Sequence, residues 1–152
     1  MAMHDQSLAG LPAGQTPGDL RAPVLWGIVV GVLQALTPFV FWWLPAATVY
    51  ALGIAVIAAV YIGLSVADGR PRVIAVETAV AAVFVVVAAA GVTGTAWLLV
   101  AGLAGHGVKD FWQHRTRFVA NTRWWPPFCA AVDVVVAAIL AGALLGGVDF
   151  SG

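Results

Sequence analysis

The chain has 152 residues, of which 62% are hydrophobic and 9% charged, and its mean hydropathy is +0.97. A soluble domain of this length carries roughly a quarter charged residues to keep its surface wet, so this composition excludes an ordinary water-soluble fold and points to an integral membrane protein. The formal net charge is zero, so the total says nothing about acidic partners and the distribution of charge says more; nucleic acid is not expected as a partner.

The amino-terminal stretch MAMHDQSLAGLPAGQTPGDL has no basic segment followed by an apolar one, so it does not read as a cleavable signal peptide. Its Gly, Pro, Gln and Asp content predicts a short mobile cytoplasmic tail over residues 1–22. Five apolar runs follow, near 24–43, 46–66, 73–93, 95–114 and 127–147. Each is long enough as a helix to cross about 30 Å of hydrocarbon. The expected architecture is therefore all-α, a five-helix transmembrane domain over 23–148 with the bilayer as its principal partner, and a short external tail over 149–152.

The first run ends in FVFWWLP, an aromatic girdle with a proline. Thr37, before Pro38, is placed to satisfy backbone groups freed by that proline, and Gln34 is a polar residue midway along the run. The second run ends at ADGRPR, and the third and fourth are joined only by GVTGT. The longer linker RTRFVANTRWWPP joins the fourth to the fifth. Arg115, Arg117, Arg123, Trp112, Trp124 and Trp125 read as anchors at a membrane interface, with Pro126 and Pro127 suited to a first helical turn.

All seven basic residues, Arg21, Arg70, Arg72, Lys109, Arg115, Arg117 and Arg123, fall on one side of a five-span topology. A four-span topology would split them. The positive-inside rule then puts the amino terminus in the cytoplasm and the carboxyl terminus outside, in a multi-pass protein of the cell (inner) membrane. Two GxxxG pairs, Gly27 with Gly31 and Gly142 with Gly146, allow close helix approach. Packing within the chain is their first reading, and a homo-oligomer seam is the alternative. The single cysteine, Cys129, permits no intrachain disulfide and reads as a small apolar helix residue.

Against this apolar background the stretch GHGVKDFWQHRTR, residues 105–117, concentrates polar side chains. At 100° per residue His106, Asp110 and His114 share one helix face, with Gln113 and Arg117 on the same stripe. Measured from Arg115, His106 lies about 13 Å and Asp110 about 7 Å into the membrane at 1.5 Å per residue. Glu77 lies about 7 Å beyond Arg72 and Asp133 about 12 Å beyond Trp125 by the same rise. Three helices thus deliver ionisable groups to one depth.

Glu77, Asp110 and Asp133 face a single nearby lysine, Lys109, so at least one carboxyl is expected to hold a proton or a cation. The candidate ligand-binding set is Glu77, His106, Lys109, Asp110, Asp133 and Gln34. His106 and Asp110 one turn apart read first as a hydrogen-bonded pair. A metal site would draw on His106, Asp110, Glu77 and Asp133, since His106 and His114 are about 12 Å apart along the axis and cannot share an ion. No cofactor is identified. There is no nucleotide-binding loop, G-x-S-x-G elbow or HExxH.

The leading expectation is a pocket binding a small ligand, proton or cation, with transport as its possible use. A membrane enzyme acting on a lipid-like substrate through His/carboxylate acid–base or metal chemistry is the first alternative. An accessory subunit whose polar cluster is structural is the second.

Overall fold

The computed structural model describes residues 19–120 and 122–150 and is all-helical, with no strand among the described residues. Six helices follow in order: α1 (Arg21–Ala35), α2 (Thr37–Val40), α3 (Ala46–Asp68), α4 (Pro71–Thr93), α5 (Trp97–Thr116) and α6 (Trp125–Leu145). The tail expected over 1–22 falls mostly outside the described residues, although Arg21 and Ala22 already belong to α1.

Three helices, α3, α4 and α6, are long and apolar enough to cross a membrane. Their outer faces carry bare hydrophobic side chains such as Val56, Val83, Val86 and Val134, which suits a lipid solvent and not water. The other two expected spans differ in character. α5 has 20 residues, enough length, but its second half carries the polar stripe. That stripe is turned inward: Asp110 and Gln113 are fully buried, while Val108 is 70% and Phe111 57% exposed. α5 is therefore apolar outside and polar inside, the pattern expected of a helix lining a polar interior in a membrane.

The run expected over 24–43 is not one helix. α1 ends at Ala35 after 15 residues, about 22 Å at 1.5 Å per residue, and the single turn α2 follows Leu36. The physical reason is Pro38. It has no N–H for the carbonyl of Gln34, and the N–H of Phe39 turns to Leu36 O instead of Ala35 O. Both stranded carbonyls find side chains: Thr37 Oγ1 donates to Gln34 O at 2.6 Å and the Tyr50 hydroxyl to Ala35 O at 2.8 Å. The break is thus a satisfied one.

Turn chemistry sets the other boundaries. α3 stops at Gly69, whose φ of 80° is the left-handed conformation glycine adopts freely, and Pro71 opens α4. Pro126 and Pro127 open α6 in the same way.

α6 packs against α1 on one side and α5 on the other, α3 packs on α4, and α5 also touches α3 and α4, which makes α5 the centre of the bundle. The α1–α6 seam depends on Gly27 and Gly31. A Cβ on Gly27 would collide with the carbonyl oxygen of Phe128 and sit 2.7 Å from Ala131 Cβ, and one on Gly31 would sit 2.9 Å from Val135 Cβ. The first GxxxG pair is therefore used inside the chain. At Gly142 an added Cβ meets nothing within 4 Å, and at Gly146 it meets the carbonyl oxygens of Ala143 and Gly142 in its own last turn, so among the described residues no other helix packs on that pair. The apolar core, Ile54, Leu99, Leu103, Val132, Val136 and Leu140, lies where α3, α5 and α6 meet.

The loops meet in two groups. At one end the α3–α4 turn is bonded to the α5–α6 linker. Arg70 Nη2 donates to Phe118 O at 2.6 Å, and the N–H of Ala120 donates to Asp68 Oδ2 at 2.6 Å. Leu20 and Val24, at the start of α1, share a groove there with Phe111, His114, Pro126 and Pro127. At the other end Phe150 returns to the start of α3, its carbonyl accepting from Ala47 N at 3.4 Å and its ring edge-on to Tyr50 at 5.8 Å. In the segment expected as a short external tail over 149–152, Phe150 thus packs on the start of α3. Residues 151–152 lie outside the described residues.

Candidate functional site

The polar cluster lies between the core and the end of the bundle where the two loops are bonded together. α5 presents His106, Asp110 and Gln113 at i, i+4 and i+7, one continuous face, with Lys109 displaced toward α3 and α4. α4 contributes Glu77 and α6 contributes Asp133. Glu77, His106, Asp110, Gln113 and Asp133 are all buried, and Lys109 is 12% exposed.

The geometry divides these residues into two groups. In the first, Lys109 Nζ is 2.7 Å from Glu77 Oε2 and lies 3.3 Å from the centroid of the Tyr61 ring, a cation held between a carboxylate and an aromatic face. Gln113 Nε2 donates to Glu77 Oε1, and Gln113 Oε1 accepts from the N–H of Val119 at 3.2 Å. Gln113 thereby ties α4 to the α5–α6 linker. In the second group, His106 Nδ1 is 2.8 Å from Asp133 Oδ2 and 3.5 Å from Asp110 Oδ2. One ligand atom from each of His106, Asp110 and Asp133 lies within 4.8 Å of the others. The imidazole is walled by Phe84, edge-on at 4.8 Å, and Tyr61 at 5.7 Å.

Both groups contain buried polar atoms without a hydrogen bond, but Glu77 Oε2 and Lys109 Nζ offset each other as an ion pair at 2.7 Å. Both oxygens of Asp110, Oδ1 of Asp133 and Nε2 of His106 are buried with no hydrogen-bond partner. The Tyr61 hydroxyl is likewise unpartnered. Buried polar groups in native proteins are nearly always bonded, and an uncompensated carboxylate in low dielectric costs several kcal/mol. The Glu77–Lys109 pair is neutral by itself. With both carboxyls ionised, the Asp110–Asp133 pair would carry two negative charges beside an imidazole, and a proton or a cation is what would balance them.

Gln34, placed with the candidate ligands on the sequence, lies elsewhere. Its amide sits over Gly53 of α3, where an added Cβ would be 2.6 Å from Nε2. It faces an apolar groove of about 480 Å³ between α1 and α3, lined by Leu33, Leu52 and Val56 among others. The groove is remote in the fold from the α4–α5–α6 cluster. His114, on the same sequence stripe as His106, lines the groove near the start of α1 instead.

The interface residues are disposed as follows. Arg115, Arg117, Arg123, Trp112, Trp124 and Trp125 are all exposed. Trp112 tilts on Phe118 at 5.4 Å, Trp124 stacks on Phe128 at 4.7 Å, and Arg115 lies over Phe111 at 4.7 Å. Arg117 takes a left-handed φ of 53° as α5 ends, which turns the linker back over the cluster and buries Val119 and Thr122.

Tyr61 and Asp68 were not singled out on the sequence. Their signal was a polar stripe in α3, Tyr61, Ser65 and Asp68 at i, i+4 and i+7, overlooked because Tyr and Ser are unremarkable in an apolar helix. Comparison of the chain with family models, with curated proteins and with solved structures finds no match.

Proposed function

We propose that this chain is a five-span protein of the cell (inner) membrane, amino terminus cytoplasmic, that binds a proton or small cation in the buried cluster of Glu77, His106, Lys109, Asp110 and Asp133. α1 with α2, α3, α4, α5 and α6 would supply the spans, with the basic loops on the cytoplasmic side. The observation that carries this reading is electrostatic: three buried carboxylates lie with one nearly buried ammonium, and both Asp110 oxygens and Asp133 Oδ1 make no well-formed hydrogen bond. A membrane interior retains such groups where they bind or relay charge. Reversible occupation of the cluster is the step on which ion or proton transport would be built.

A purely structural cluster is the competing reading, favoured by the Gln113 bridge, which satisfies Glu77 and the linker without any ligand. The two separate on Asp133→Asn, which keeps the shape and can still accept from His106. Purified protein in detergent is titrated for proton uptake across the neutral range and for thermal stabilisation by mono- and divalent cations. Wild type takes up protons or is stabilised by a cation, and the folded Asp133→Asn variant loses that response. A variant indistinguishable from wild type in both measurements refutes the proposal.

A further inference from the structure

Resting on the reading above, we infer that His106, Asp110 and Asp133 form a site for one divalent first-row metal ion, of the Zn²⁺ or Mn²⁺ class. Charge is the first argument. Lys109 is committed to Glu77 at 2.7 Å and to the Tyr61 ring, so it does not offset the Asp110–Asp133 pair, which would carry two negative charges when ionised. One divalent ion with a neutral imidazole brings that group to zero, whereas a single proton or alkali ion leaves it charged in a buried setting.

Distance is the second argument. Two ligand atoms about 2.1 Å from one ion, 90° to 110° apart, are themselves about 2.9–3.4 Å apart. His106 Nδ1 lies 2.8 Å and 3.5 Å from the nearest oxygens of Asp133 and Asp110, values that bracket two of the three edges; the three ligand atoms lie within 4.8 Å of one another, and the two carboxylates would close in on a bound ion. The third argument is the orphaned lone pairs. Asp110 is fully buried with both oxygens unpartnered, and Asp133 Oδ1 is in the same state. The Tyr61 hydroxyl neighbours Asp110 without a well-formed hydrogen bond, so these oxygens are the open acceptors of the group.

Donor chemistry then selects the ion. One imidazole and two carboxylates suit borderline first-row ions, while Ca²⁺ takes six to eight oxygens and Mg²⁺ keeps several waters. α5 and α6 run close together here: a Cβ added at Gly107 would lie in ordinary contact with Asp133 Cβ at 3.5 Å. His106 and Asp110 are one turn apart on a single helix, and Asp133 closes the site from the neighbouring helix.

The test uses the full chain, without a histidine tag, purified in detergent, stripped with chelator and loaded with Zn²⁺ or Mn²⁺. Metal content after desalting should be about one equivalent. Affinity should fall by at least about 10–100-fold in Asp110→Asn and in Asp133→Asn, and His114→Ala should keep the equivalent. Co²⁺-loaded wild type should show visible ligand-field absorption, a readout that survives if a variant fails to fold. Absence of stoichiometric metal and of the Co²⁺ band, or equal retention of metal in both Asp variants, overturns the site. If metal is absent while Asp133-dependent proton uptake persists, the metal inference fails and the proton reading stands. If both are absent, both fail.

Discussion

Lys109 and Glu77 illustrate how strongly single residues constrain one another in this interior. Each is nearly or fully buried and each neutralises the other at 2.7 Å. Removing one partner of a buried pair leaves an uncompensated charge and costs about 3–5 kcal/mol, whereas removing both charges together costs far less. Lys109→Met should therefore lower unfolding stability in detergent by that amount, and Lys109→Met combined with Glu77→Gln should restore most of it. A double variant as unstable as the single one would show that the pair is not a self-neutralising unit. In the other group, His106→Ala and Asp133→Asn should couple by about 0.5–3 kcal/mol in a double-mutant cycle on stability or cation binding, because the two side chains touch. Additive effects would separate them into independent sites.

Among the elements, α1 is the most dependent on its neighbours, being short, broken at Leu36 and held to α6 through two glycines. Gly27→Leu should destabilise by at least about 1–3 kcal/mol, since the added atoms meet a backbone carbonyl that cannot move aside. Gly142→Leu should be nearly neutral for the monomer because its surroundings are open. Denaturation of both variants in one detergent checks the contrast, and equal losses would contradict the seam. Tyr50→Phe should cost about 0.6–2 kcal/mol by stranding the Ala35 carbonyl. The linker's aromatic residues act differently. Trp124 and Trp125 are exposed and stack mainly on each other and on Phe128, so replacing both with alanine should loosen the linker without preventing insertion. Protease accessibility of the linker against yield of membrane-inserted protein distinguishes that from loss of the folded protein.

For the whole molecule, orientation decides whether the cluster communicates with the cytoplasm. In a Cys129→Ala background, single cysteines at Arg72 and Val148 report the two ends, both being exposed positions. An impermeant maleimide applied to intact cells should label position 148 and spare position 72. Labelling of 72 alone would invert the proposed topology, and labelling of both would break the alternation of spans.

Length, apolar content and residue order determined by themselves that the described residues are all-helical, where most helices begin and end, and that ionisable residues of α4, α5 and α6 fall at one level of the bundle. These are local properties: a helix rises by a constant step, and Gly69, Pro71 and Pro126 stop or start helices wherever they stand. The shared face of His106 and Asp110 was equally legible, because both lie on one helix.

Which residue meets which across helices was not. α3, α4 and α6 are apolar on nearly every side, so nothing local fixes their rotation about their own axes. Only the packing of α4 and α6 on α5 assigns Glu77 to Lys109 and Asp133 to His106, sends Gln34 to a separate groove against Gly53, and folds the linker back so that Val119 meets Gln113. The division of the cluster into a Glu77–Lys109 pair and a His106–Asp110–Asp133 triad is a consequence of close packing between helices, and no single helix contains it.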